Sequence, residues 1–189
     1  MTEQSASTPM AEPPWLTDEE LAAWMRLVAL VELLPGVLDS QLRRDAGLMH
    51  FEYYVLAMLS EAPGRTLQMR DLAARTNATL PRLSHVVRRL EDRGLVTRAP
   101  CPDDGRATNA SLTEAGWAKV QETAPGHAAT VREHVIDALE PGQVRQLREI
   151  AGRVLARLDP QGRMAPAYTR YDAAADRVAG RPTGRGVDQ

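Results

Sequence analysis

Apolar residues recur along most of the chain in steps of three and four, the spacing of one helix face, and breaks in that rhythm mark the elements. The first run opens on Thr17-Asp18-Glu19-Glu20, a capping box in which the Thr hydroxyl caps the helix and Glu20 reaches back to the Thr17 backbone. Leu21, Trp24, Met25, Leu27, Val28, Leu30, Val31 and Leu34 then leave little of the circumference polar. Such a helix must be covered on more than one side, which argues for a partner subunit. Pro35-Gly36 predicts a kink or brief break, because an interior proline removes a hydrogen bond and crowds the preceding turn. Helix resumes through Val37, Leu38 and Leu42 to about residue 45, and Gly47 ends it. Phe51, Tyr54, Val55 and Met58 predict a second helix over 51–60, and Pro63-Gly64 turns out of it.

The densest local signals lie in residues 67–112. A short helix is predicted over 69–75, with Leu72 and Ala73 facing inward. Asn77-Ala78-Thr79 supplies a turn and an N-cap, since Asn tolerates left-handed backbone and a Thr hydroxyl accepts from orphan N–H groups. Pro81 falls in the first turn of the next helix, where its missing N–H costs nothing. That helix runs to about residue 93 and stops at Gly94. Leu83, Val86, Val87 and Leu90 form its buried face; Pro81, Ser84, His85 and Arg88 turn away, with Arg82 and Arg89 on the flanks. A strand over 95–98 and its return over 108–112 enclose a Pro/Asp/Gly tip from Cys101 to Arg106. The predicted fold class is mainly α with a small β-hairpin wing: a winged helix-turn-helix flanked by N- and C-terminal dimerisation helices.

Beyond the wing, Thr113 caps a helix carrying Trp117, Val120 and Gln121, with a kink expected at Ala124-Pro125-Gly126-His127. Val131, Val135, Ile136 and Leu139 continue the pattern to a turn at Glu140-Pro141-Gly142. The last strong helix spaces Val144, Leu147, Ala151, Val154 and Leu158 by threes and fours, with Ile150 and Leu155 widening the seam. That seam fits either an intramolecular contact or an intersubunit bundle; the over-apolar first helix favours the bundle. Residues 164–178 are at most a marginal helix with Tyr168 and Tyr171 on one side. The organisation expected is a disordered arm over 1–16, one domain over 17–158 with its DNA-binding module at about 62–113, and a flexible tail over 159–189.

Net charge is −2, which gives no global signal for nucleic acid. Its distribution does: residues 65–106 hold nine Arg against five acids, a local +4 on a body that is otherwise −6. An exposed helix face of Arg, His and Ser suits a major groove, where guanidinium pairs with guanine and hydroxyls reach bases or phosphates. The candidate DNA-binding residues are Thr79, Pro81, Arg82, Ser84, His85, Arg88 and Arg89 on the helix, Arg98 on the strand and Arg106 at the wing tip. Arg106 is read as entering a minor groove rather than ending a plain solvated hairpin.

An enzyme is disfavoured: there is no Gly-rich phosphate loop, no G-x-S-x-G, no H-E-x-x-H and no convincing carboxylate pair. A winged helix that binds protein without reading DNA is the alternative, and it would show an acidic or apolar outer face where this one is basic. His50, His85, His127 and His134 lack ligand spacing and Cys101 is the one cysteine, so neither a metal nor a cofactor is expected. Cys101 is expected to be exposed in the wing and inert, with no second thiol to resolve it. The first residues lack the pattern of a signal peptide, and the apolar stretch at 27–34 reads as too short for a bilayer span, so a cytoplasmic protein without membrane partners is expected.

Leu72-Ala73, the helix end Arg89-Leu90-Glu91-Asp92-Arg93-Gly94-Leu95-Val96, Asp104-Gly105-Arg106 and Leu112-Thr113-Glu114-Ala115-Gly116 follow one another at spacings that resemble the multiple-antibiotic-resistance regulator (MarR) family of bacterial transcription factors. The resemblance covers about residues 17–158. It implies a homodimer that binds a palindromic double-stranded DNA operator, commonly a repressor released by a small phenolic or aromatic effector. Two recognition helices would then sit about 34–36 Å apart to meet successive major grooves. The resemblance also implies an effector cleft between the first, second and fifth helices. Trp24, Val28, His50, Tyr54 and Met58 are the ligand-binding candidates, with Met25, Tyr53 and Trp117 beside them. The plainer reading of these residues is hydrophobic core. Pro35-Gly36 departs from the family pattern and bears on the shape of that cleft.

Overall fold

The computed structural model describes residues 15–102, 104–172 and 175. They fall into two compact units, Met1–Val37 and Leu38–Gln189, which divide within the first helix. That helix, α1 (Asp18–Ala46), is continuous through Pro35, so of the expected kink or brief break the break is absent. Pro35 and Gly36 are exposed, and water can bond the carbonyl that proline leaves without an N–H donor. The capping box forms as read: Thr17 N–H and Oγ1 donate to Glu20 Oε2 at 2.8 and 2.9 Å, and Glu20 N–H donates to Thr17 Oγ1 at 3.3 Å. Within the first unit Leu21, Trp24, Met25, Leu27, Leu30, Val31 and Leu33 are all exposed, and Val28 is half-buried. An 18-residue window of α1 reaches a mean hydropathy of 1.8, so by length and composition it could cross a bilayer. The expectation of too short a stretch is corrected: Arg26 and Glu32 interrupt the apolar run without ending it.

The second unit holds the core. After α1 come α2 (His50–Ser60), a single 3-10 turn (Pro63–Arg65), β1 (Thr66–Gln68), α3 (Met69–Arg75), α4 (Leu80–Asp92), β2 (Val96–Pro100), β3 (Thr108–Leu112), α5 (Glu114–Val131), a π-helical turn (Arg132–Ile136), α6 (Pro141–Leu158) and α7 (Ala165–Tyr168). The strands form one antiparallel sheet in the order β1-β3-β2, with Leu67 opposite Ala110 and Val96 opposite Leu112. Leu42, Leu48, Val55, Leu56 and Leu59 meet Leu72, Leu83, Val87, Leu90 and Val96 in a cluster that excludes water. Leu83, Val86, Val87 and Leu90 are the buried face of α4, as their spacing required.

Local punctuation explains the sharp boundaries. Asn77 is left-handed at φ 47° and Gly94 at φ 70°, turning the chain into and out of α4. Thr79 caps α4 by accepting from Arg82 N–H at 3.4 Å. Gly116, in the first turn of α5, is obligatory for a different reason: a Cβ there would lie 2.1 Å from the Leu95 carbonyl oxygen.

Four further features differ from expectation. β1 is only three residues long, too short to show alternation. Pro125 lies inside an unbroken α5, and the irregularity comes later, as the π-helical turn. Cys101 is buried rather than exposed, with Gln68 Nε2 donating to its sulfur at 3.6 Å. Finally, the segment after α6 is held as far as Asp172. Asp159 accepts from Arg163 and Met164 N–H at 2.9 and 2.8 Å, and Ala167 packs on the core. Glu61 takes Arg170 at 2.6 Å and the Tyr171 hydroxyl at 3.0 Å. The arm over 1–14 and the end over 176–189 lie outside the described residues.

Candidate nucleic-acid interface

The three sides of α4 that do not carry its apolar stripe have separate surroundings. One flank lies over α2, where the Arg82 guanidinium sits 4.2 Å from the Phe51 ring centre. Arg89 and Arg93 on the same flank approach the Glu52 carboxylate at 2.9 and 3.6 Å. The Arg89 contact is an ion pair by distance, with its N–H off the hydrogen-bonding axis of Oε1. Glu52 is 1% exposed, and its other oxygen accepts Met49 N–H at 2.9 Å.

The opposite flank meets the wing. Glu91 accepts from Arg98 three times: from N–H at 3.2 Å, Nε at 2.9 Å and Nη2 at 2.6 Å. These bonds hold the Glu91 carboxyl below its usual range. They also fasten β2 to α4 by a fork-like contact.

Between the flanks, the outer face presents Pro81, His85 and Arg88 exposed and Ser84 half-buried. A groove of about 370 Å³ opens between this helix and the wing, lined among others by Arg70, Ser84, Arg98 and Arg106. A second hollow, of about 290 Å³, is formed by Ser84, His85, Arg88 and Arg98. Arg88 and Arg106 are exposed and form no ion pair with another described residue. The backbone N–H of Arg106 donates to Asp104 Oδ1 at 3.1 Å, which stiffens the wing tip.

Of the nine residues read as DNA-binding, Ser84, His85, Arg88, Arg98 and Arg106 therefore converge on the groove side. Thr79 and Pro81 lie at its helix N-terminus. Arg82 and Arg89 lie on the far flank against α2. Sequence reading missed Arg70, whose place at the groove depends on the α3 register. It also missed the carboxylate partners of Arg89 and Arg98.

Of the five effector candidates, the three in the second unit face different neighbours. Trp24 and Val28 belong to the first unit. In the second unit His50 lies near α5, where its neighbour Tyr53 stands 4.7 Å from the His127 ring. Tyr54 and Met58 look toward α3 instead: Tyr54 donates to the Arg75 carbonyl at 3.2 Å, and Met58 lines a hollow with Arg75 and Arg170. Trp117 is covered by the Arg65 guanidinium at 4.3 Å. Burial lowers both the His50 and the His127 pKa, opposed at His50 by Asp39 and reinforced at His127 by His50.

Residues 47–107 match the family model described as MarR family. Sco3205, a MarR family transcriptional regulator of Streptomyces coelicolor solved in complex with DNA, is 45% identical, with 78% of this chain and 92% of that chain covered at a TM-score of 0.75. The chain belongs to the MarR family of transcriptional regulators. AbsC, another MarR family regulator of Streptomyces coelicolor, is 37% identical over 77% of this chain and 98% of its own, at a TM-score of 0.73. The HTH-type transcriptional regulator YdcH of Bacillus subtilis is 30% identical over 123 residues, 63% of this chain and 75% of its own. The winged helix-turn-helix read from residues 67–112 thus has the family's architecture.

Proposed function

We propose that this MarR-family regulator is a cytoplasmic homodimeric repressor that binds a palindromic DNA operator through the outer face of α4 and the wing. One observation carries this reading. Ser84, Arg98 and Arg106 line an open groove, Ser84, His85, Arg88 and Arg98 line the hollow that shares its wall, and the exposed cations Arg88 and Arg106 form no ion pair among the described residues. A positive concave surface flanked by a helix and a hairpin suits duplex DNA, with α4 in the major groove and Arg106 at the adjacent minor groove. The DNA-bound state of Sco3205 supports the same reading. The basic face also weighs against a winged helix that recognises only protein.

Dimerisation is supported by apolar surface that each unit leaves bare. The seam residues Leu147, Ile150, Val154 and Leu158 of α6 are exposed, as are most apolar residues of α1. A second copy would cover both and set the separation of the two recognition helices.

The binding test is a gel-shift titration against genomic fragments at rising salt. Affinity should fall steeply, because phosphate contacts release counterions. Binding indifferent to salt would sink the reading. Arg88→Ala should cost about 1–3 kcal/mol and relax sequence preference at one position. Arg106→Ala should weaken binding mainly where the flanking minor groove is A·T-rich.

Release by a small phenolic effector is the second part of the proposal. Gln41 is buried with Oε1 unpartnered, and His127 Nδ1 is likewise buried without a partner. A phenol O–H can donate to such an acceptor, and the His127 ring stands 4.7 Å from that of Tyr53. Displacement of the protein from DNA by simple phenols, reduced in Gln41→Leu, tests it.

A further inference from the structure

Two arginines of α4 that look alike in sequence, Arg82 and Arg89, are held by neighbouring residues of α2 in chemically different ways. Arg82 stacks on Phe51 at 4.2 Å, and stacking occupies the face of a guanidinium while leaving its in-plane N–H donors free. Arg89 instead meets the Glu52 carboxylate at 2.9 Å, and that carboxylate is buried at 1% exposure. A buried anion is strongly disfavoured without a counter-charge, so Glu52 needs Arg89 and Arg93 more than they need it. Glu52 also accepts Met49 N–H at the start of α2 and is fixed at that end.

We infer that Glu52 is a positioning residue for DNA recognition. It keeps Arg89 and Arg93 off the phosphates and fixes the rotation of α4 about its own axis. Resting on the proposed DNA-binding role, this assigns the two flank arginines opposite jobs: Arg82 contacts backbone phosphate, while Arg89 does not. The rotation matters because the outer face is narrow. Ser84, His85 and Arg88 lie between the Glu52 anchor on one flank and the Glu91–Arg98 anchor on the other, so releasing either anchor lets the reading face roll. The inference gives Glu52 a role in sequence choice although it touches no base.

The test measures affinity against salt concentration for the full-length chain. The probes are a duplex enriched by the wild-type protein from a random-sequence pool and a scrambled duplex of equal length. Each phosphate contact contributes about 0.9 to the slope of log K against log salt. Arg82→Gln should reduce that slope by about one. Arg89→Gln should leave it unchanged while lowering the ratio of specific to scrambled affinity about tenfold, within the range of a single disturbed base-pair contact. Glu52→Gln should reproduce the Arg89→Gln loss of discrimination, and the double variant should be no worse than either single one.

Two results would overturn the inference. One is a slope reduced by about one in Arg89→Gln. The other is a steeper slope with raised scrambled-duplex affinity in Glu52→Gln, which would make Glu52 a mere competitor of phosphate. If Glu52→Gln fails to fold, as circular dichroism would show, Arg89→Gln alone decides, since its side chain is partly exposed at 43%. Failure of the wild-type chain to enrich any duplex would reject the DNA-binding role itself, a result distinct from both.

Discussion

The winged module and α6 carry the same periodic apolar signal with opposite outcomes. In α4, Leu83, Val86, Val87 and Leu90 are all buried against α2, α3 and the sheet. In α6, Ile150 and Leu158 are 61% and 73% exposed, and no residue of the helix is buried. Apolar spacing reports that a helix face needs cover; it does not report whether the cover lies in the same chain. The winged module contains its own cover, whereas α6 ends at a surface that one chain leaves open.

Substitutions can sharpen or break that contrast. Leu90→Ala should cost about 2–5 kcal/mol in a denaturant titration, since a filled core site becomes a cavity. A loss under about 1 kcal/mol would mean that α4 is less firmly packed than its burial shows. Gly116→Ala comes next, at about 1–3 kcal/mol, because the new methyl group collides with the Leu95 carbonyl and forces α5 away from the loop before β2. Ile150→Glu should leave the fold of the isolated chain almost unchanged yet shift sedimentation from dimer to monomer, as expected of an apolar face covered by a second copy. A monomeric wild type would remove the distinction.

The smallest effect is on pH dependence. Burial holds the His50 and His127 pKa values below the ordinary imidazole range, so the unfolded chain binds protons that the folded chain resists. Their contribution to stability is therefore complete above an unfolded pKa of about 6.5 and is lost as the pH falls below it. Thermal melts between pH 7 and 5 should show that decline, and His127→Gln should flatten it.

The sequence was most legible where local chemistry decides the structure. Asn77, Thr79, Pro81 and Gly94 each dictate backbone at their own position, and α3 and α4 begin and end where those residues put them. It was least legible where a partner far along the chain decides. Nothing near Arg89 announces Glu52, and nothing near Arg98 distinguishes a DNA contact from a fastening to Glu91. Cys101 was expected in solvent because it opens the Pro/Asp/Gly tip of the wing, but β1 brings Gln68 against it, and β1 is itself defined by pairing with β3. Pro35 did not end the helix, and its exposed position lets water bond the carbonyl that lost its donor. Gly116 did leave a signal within the Leu112-Thr113-Glu114-Ala115-Gly116 signature, but its reason, contact with the Leu95 backbone, is visible only in three dimensions.

Glu61 closes α2 at the end where the helix's unpaired carbonyls already gather negative charge, an awkward place for a carboxylate. Arg170 and Tyr171, reaching back from beyond α6, supply the compensating cation and hydroxyl. A shortened protein ending at Leu158 would keep every long helix and strand among the described residues, yet it would leave Glu61 without these two partners at the C-terminal end of α2. Any loss of stability in such a truncation would report that stranded charge as well as the missing residues, and Glu61→Gln in the shortened chain would separate the two.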